Sequence, residues 1–421
     1  MFLLQPWRSE TKPRLDREIV AIGLIYFIEG ALGLAQLAVS FFFKDELGLT
    51  PAETASLVGL VMLPWTIKPF YGFISDSFPV GGYRRRPYLL FFSLLGTLAW
   101  LGMATIVNSA QLAVLFIGIA SLAISFNDAL VDALVVERAR LESWGDAGSL
   151  QSFSWGTLSA GGVVAAFLSG YLLEHFGTRV VFGLTAILPL IWGVASLAIH
   201  DDRVETGVKG QFFPQLQALK QAVTNPQILL PALFLFLWQA TPSADTAFFF
   251  FTTNELHFNP QFLGTVRLVT NVAGLFGVWL FHRFLRQVPM RPIFGWTTVI
   301  STLLGLTSLI LVNHWNRAVG IDDRWFSLGD SLILTIAGRI AFMPTLVLAA
   351  RLCPAGVEAT LFALLMSVLN LAGLCSQQLG ALLTHLLGVT ESDFHNLWLL
   401  LLITNLSSLL PLPFLRWLPD K

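Results

Sequence analysis

The chain has 421 residues, 55% of them hydrophobic and only 12% charged, and its mean hydropathy is +0.70. Soluble domains carry about twice that charged fraction, so an aqueous shell of Lys, Arg, Asp and Glu could not cover a core of this size. Its 25 basic and 26 acidic residues leave no basic domain for nucleic acid, and Cys353 and Cys375 alone cannot staple a secreted scaffold. An integral membrane protein with several spans remains.

Residues 1–17 place Arg8, Lys12, Arg14 and Arg17 around Pro6 and Pro13. They lack the apolar core and small-residue cleavage site of a signal peptide, so a cytoplasmic tail is expected. A membrane helix needs about 20 apolar residues. On that measure the sequence predicts twelve spans, at 18–43, 52–76, 87–107, 110–137, 149–174, 178–199, 227–252, 261–284, 291–313, 328–350, 358–386 and 394–417. The longest polar interval, 201–226, predicts a cytoplasmic loop between a bundle over 18–200 and a second over 227–421.

Orientation follows from Lys and Arg. With the N-terminus inside, the outer segments hold only Lys44, Arg179, Arg317 and Arg324, while Lys68, Arg267 and Arg339 fall within spans. The other basic residues all lie inside, which predicts two cytoplasmic termini. The halves also echo each other: Arg84, Arg85 and Arg86 follow the second span, and Arg283, Arg286 and Arg291 follow the eighth. An all-α integral membrane protein with parallel six-helix repeats around a midplane site describes the major facilitator architecture.

Ionisable side chains at membrane depth cost several kcal/mol unless paired or wetted, so each is a functional candidate. Glu29 in the first span and Arg339 in the tenth fall near the midplane. Asp245 in the seventh and Arg267 in the eighth lie about five residues outward, roughly 7 Å. Lys68 in the second and Asp128 in the fourth lie about four residues toward the cytoplasm, and Asp132 shares a face with Asp128 one turn on. Matched depths predict the pairs Asp245–Arg267 and Lys68–Asp128. Either pair could instead be a permanent structural clamp. Spans one, four, seven and ten line the cavity in the major facilitator arrangement, an analogy at the level of fold.

The seven histidines avoid the midplane, so coupling falls on the carboxylates Glu29, Asp128 and Asp132. There is no phosphate-binding loop and no Cys/His metal spacing, and no cofactor is expected beyond protons as the coupling ion. The aromatic run Phe248–Phe251 is expected to face lipid or neighbouring helices, with one or two rings open to a planar ligand.

Several segments resemble the folate–biopterin transporter family. The segment Lys68-Pro69-Phe70-Tyr71-Gly72-Phe73-Ile74-Ser75-Asp76, continuing through Pro79 and Gly82-Tyr83-Arg84-Arg85-Arg86, is similar to its signature. So are Glu29-Gly30, Lys44-Asp45-Glu46-Leu47-Gly48-Leu49, Asp128-Ala129 through Glu137-Arg138, Gln151-Ser152, Trp155-Gly156, and Trp238-Gln239-Ala240-Thr241-Pro242 with Asp245. The resemblance implies a secondary carrier for folates or pteridines, driven by protons. It also implies a bacterial plasma membrane, or a plastid envelope for relatives, with the lipid bilayer and a small molecule as partners and no obligate protein partner. Asp245, Gln239, Arg267, Arg339, Trp238 and Glu29 then become candidates for the substrate: aspartate accepts paired bonds from a pterin edge, arginine forks onto a carboxylate, and Trp238 can stack. Asp76 with Arg84, Arg85 and Arg86 is the expected cytoplasmic gate, and Lys68 a gating or structural residue; positive-inside anchoring alone would also explain the arginines. A carrier for another organic anion and a transporter-like receptor are the alternatives. An embedded enzyme lacks a nucleophile or metal constellation.

Overall fold

The computed structural model describes residues 13–139, 149–201, 203, 224–285, 288–351 and 358–419. Arg8, Lys12, Arg286, Cys353 and most of the expected loop 201–226 lie outside the described residues. Ten described helices are long and apolar enough to cross a membrane. The first four are α1 (Arg17–Glu46), α2 (Pro51–Ser77), α3 (Arg86–Thr105) and α4 (Ala110–Val135). The next apolar stretch, Leu150–Ser196, runs 47 residues. At about 1.5 Å per residue it is more than twice the thickness of a hydrocarbon core. It breaks at Gly177, whose φ of 75° and ψ of 175° suit a residue without Cβ, giving α5 (150–176) and α6 (178–196).

In the second half α7 comes in two pieces, Pro226–Gln239 and Asp245–Asn254. It is followed by α8 (Pro260–Leu285), α9 (Met290–Val312), α10 (Asp323–Thr345), α11 (Ala363–Leu386) and α12 (Leu397–Trp417). Ten of the described helices meet the length of a span; the longest of them divides at Gly177, and the expected seventh span is not one of them, since Pro226–Gln239 is shorter.

Local chemistry sets the helix starts. Thr50 and Glu53 form a reciprocal capping box at α2, with Pro51 at the first helical position. Asn225 and Asn259 cap α7 and α8 through their side-chain oxygens, each followed by proline.

The expected continuous seventh span, 227–252, is instead broken between Gln239 and Asp245. Pro242 has no N–H to donate and disfavours helix in the residue before it. The freed groups find partners on α11: Ser376 Oγ donates to the Thr241 carbonyl at 2.5 Å, and Ser243 N donates to the Ser376 carbonyl at 3.2 Å. A break at membrane depth survives only when neighbouring helices meet its backbone in this way.

The first half packs around Phe42, Phe43, Trp100 and Phe182 at one level and Ile25, Phe126, Leu130 and Trp192 at another. The second half packs around Phe251, Leu397 and Leu400, and around Phe234, Phe294 and Leu348. The halves meet at the end opposite Arg17 and Trp417, the far end, and along α2 and α11, where Asn370 Nδ2 also donates to the Trp65 carbonyl at 3.0 Å. At the far end Lys44 Nζ donates to Asn254 Oδ1 at 2.9 Å and Phe41 meets Phe249 edge-on at 5.3 Å. Gly170 of α5 and Gly264 of α8 touch backbone to backbone. On α2 and α11, Ser56 Oγ donates to Gln378 Oε1 at 2.9 Å.

Candidate functional site

The candidate residues sort into four places. The first lies inside the first half. Pro64 and Pro69 interrupt α2, so a 3-10 turn over Leu63–Ile67 precedes the helix Lys68–Ser77. Tyr71 Oη takes up the Pro64 carbonyl at 2.7 Å. The interruption delivers the Lys68 ammonium to α4, where it contacts Asp128 and lies 3.4 Å from Asp132. Trp65 faces the same ammonium at 5.3 Å. From α1, Tyr26 Oη donates to Asp132 Oδ1 at 2.7 Å, and the Glu29 carboxyl reaches Asp128. Three carboxyl groups therefore surround one ammonium. The Lys68 and Asp128 side chains are 14% and 6% exposed, whereas Asp132 is 51% exposed, so the cluster opens through Asp132.

The second place is the expected gate. Arg85 grips Glu137, two residues beyond Val135 on the continuation of the α4 helix, with both guanidinium nitrogens, Nη1 at 2.9 Å from Oε2. The backbone N–H groups of Arg85 and Arg86 donate to Asp201 Oδ2 at 2.9 and 2.8 Å, which places a carboxylate at the start of α3. Arg86 Nη2 donates to the Ile199 carbonyl at 2.6 Å. Asp76 is exposed beside Arg84 and Arg85. These bonds tie α3, α4 and the end of α6 together within the first half. Asp76→Asn should slow turnover and spare substrate affinity in uptake kinetics. Unchanged turnover at normal expression would remove Asp76 from the gate.

The third place is a cavity of about 450 Å³ inside the second half. Trp238, Gln239 and Asp245 line it, together with Asp330, Asn405 and several serine and threonine hydroxyls from α9, α10 and α12. Trp238 is fixed there: Nε1 donates to Thr298 Oγ1 at 3.0 Å, and the ring meets Phe294 edge-on at 5.7 Å. Asp330 accepts from the Thr307 hydroxyl. Phe248 lines the same cavity, Phe250 and Phe251 are buried, and Phe249 packs on Phe41.

The fourth place is the wall that the second half turns toward the first. Arg267 Nη2 donates to Gln36 Oε1 of α1. The expected Asp245–Arg267 pair does not form. The break in α7 starts a new helix at Asp245 and aims its carboxyl into the intrabundle cavity, while Arg267 reaches across to α1. Depth along a helix was readable; direction around the axis was not. Arg339 of α10 is exposed and lays its stem on Gly274 and Gly277 of α8, where a Cβ at Gly274 would meet Arg339 Nε at 3.2 Å. Sequence reasoning missed Gln36 and Asp330. Gln36 carries no charge to mark it, and Asp330 lies near the expected boundary of its span.

A profile of the BT1 family matches residues 29–421. The chain is 59% identical over 403 residues to a folate-biopterin transporter of Synechocystis sp., covering 96% of this chain and 82% of the relative. It is 32% identical to folate transporter 2 of Plasmodium falciparum, covering 98% of this chain and 90% of that one. It is 30% identical to probable folate-biopterin transporter 4 of Arabidopsis thaliana, covering 94% of each. Among solved structures, a D-xylose–proton symporter superposes with a TM-score of 0.71 at 15% identity, covering 96% of this chain and 98% of that one. The nucleoside transporter NupG superposes with a TM-score of 0.70 at 13% identity, covering 95% and 98%. At such identities the likeness is one of fold, the major facilitator fold of secondary transporters. The chain belongs to the BT1 family.

Proposed function

We propose that the protein is a secondary carrier that moves folates or pterins across a membrane by alternating access of its bundles, 18–200 and 227–421, with protons as the coupling ion. The observation that carries this reading is 59% identity over 96% of the chain with a protein named for folate and biopterin transport. Intramembrane charge supports it, because a carrier of apolar cargo has no use for Lys68, Asp128, Arg267 and Arg339 at membrane depth. The excess of basic residues on the terminal side supports cytoplasmic termini in a bacterial plasma membrane. Contacts at the far end then correspond to a carrier open toward the cytoplasm.

The test is uptake of labelled folic acid, 5-formyltetrahydrofolate and biopterin into proteoliposomes, with and without an inward proton gradient. Saturable uptake of at least one, raised by the gradient, is expected. Uptake of none by correctly folded protein would overturn the reading.

Coupling is assigned to Glu29, Asp128 and Asp132. Their carboxyl groups outnumber the single Lys68 ammonium, so the cluster can hold a proton without adding net positive charge to the membrane interior. Asp132→Asn or Glu29→Gln should abolish gradient-driven accumulation and leave exchange of internal for external substrate. Full accumulation in both variants would refute carboxylate coupling at these two positions.

A further inference from the structure

Arg267 and Arg339 are guanidiniums at membrane depth with no carboxylate partner among the described residues. Such charges are costly to leave uncompensated, in contrast to Lys68, which touches Asp128. Arg267 projects from one side of α8, and Arg339 reaches that side from α10. Arg267, Asn271 and Gly274 share a helical face, four and then three residues apart. Asn271 Oδ1 stands 3.9 Å from where a Cβ on Gly162 of α5 would be, so this face fronts the first half. Gly274 lets the Arg339 stem lie on the same face, about 10 Å along the axis from Arg267.

The opposite wall has the other sign. There Glu29, Asp128 and Asp132 crowd around Lys68. Gln36, which holds Arg267, lies seven residues beyond Glu29 on α1, again about 10 Å. Gln36 is exposed although its neighbours Ala35 and Leu37 are buried, so it faces the space between the halves. A substrate with a donor-rich ring at one end and carboxylates at the other matches this polarity. A neutral pterin matches only the acidic wall.

We propose that Arg267 and Arg339 read the carboxylate tail of the substrate, with Gln36 as the neutral stand-in that holds Arg267 in the unloaded carrier, so that this wall sets the preference for carboxylate-bearing pteridines over neutral pterins. The proposal rests on the folate or pterin reading above and names how that substrate lies. A glutamine carbonyl accepts one hydrogen bond from the guanidinium without neutralising it, leaving the charge-assisted pair for the cargo. A carboxylate at position 36 would compete with the tail permanently.

The experiment compares folic acid and biopterin uptake in proteoliposomes of wild type, Arg267→Gln, Arg339→Gln, Gln36→Glu and Gln36→Ala, with p-aminobenzoylglutamate as a competitor. Each arginine variant should lower the folate-to-biopterin ratio about ten-fold or more, the loss of one charge-assisted contact, and p-aminobenzoylglutamate should cease to inhibit. Gln36→Glu should lower the ratio in the same direction, and Gln36→Ala should lower it less. An unchanged ratio in both arginine variants overturns the proposal. If those variants do not fold, the two Gln36 variants decide, because both keep the arginines; equal ratios for Glu and Ala then overturn it. Failure of wild type to take up either substrate would instead overturn the functional reading.

Discussion

Lys68→Met should be the most damaging single substitution in the first bundle. The ammonium contacts Asp128 and stands 3.4 Å from Asp132, and both the Lys68 and Asp128 side chains are largely shielded, at 14% and 6% exposure. Removing one member of a buried pair strands the other, at a cost of about 3–5 kcal/mol. In thermal melting of detergent-purified protein the loss should reach about 3–6 °C for a chain of this length. Adding Asp128→Asn removes the stranded charge, so the double variant should regain most of the lost stability, since a buried pair is often replaced at little net cost. Gradient-driven accumulation should stay lost in the double variant, because the cluster has lost both Lys68 and one of its three carboxyl groups. A double variant no more stable than Lys68→Met would show that the two residues do not act as a pair.

The contact between Lys68 and Asp128 and the missing one between Asp245 and Arg267 show what the sequence could carry. Apolar runs locate spans, because the bilayer sets one length for all of them. They also give depth, and both pairs had matched depths. Depth sufficed for Lys68, since Pro64 and Pro69 break α2 and free the ammonium to reach α4. It failed for Asp245, because Pro242 breaks α7 and sets the direction of the next helix through contacts with Ser376 of α11. Prolines were visible in both cases; Tyr71 takes up the α2 break from seven residues away, whereas Ser376 takes up the α7 break from 135 residues away. The pairing of Gln36 with Arg267 spans 231 residues and involves a side chain that carries no charge. Charge marks where a site must be compensated, and tertiary packing decides what compensates it.

Gly264→Ala should shift the carrier toward opening at the far end. A Cβ there would stand 2.7 Å from Gly170 Cα and 2.8 Å from its nitrogen, and backbone cannot swing aside as a flexible side chain can. Overpacking of this kind costs about 1–3 kcal/mol. The two glycines belong to different halves, so the cost falls only on the state in which α5 and α8 touch. A free-energy change that one state bears alone displaces the equilibrium by the corresponding factor, about 5- to 150-fold here. Spin labels at Thr105 and Ser392, both exposed at the far end, should report a longer distance, and uptake should fall because the closed state is rarely reached. Gly30 provides the contrast. A Cβ there would meet the Leu158 carbonyl at 2.0 Å, but α1 and α5 belong to one half and stay packed in both states. Gly30→Ala should therefore lower the melting temperature without moving the labels. Wild-type distances and uptake in Gly264→Ala would mean that the α5–α8 contact yields without cost and does not govern access.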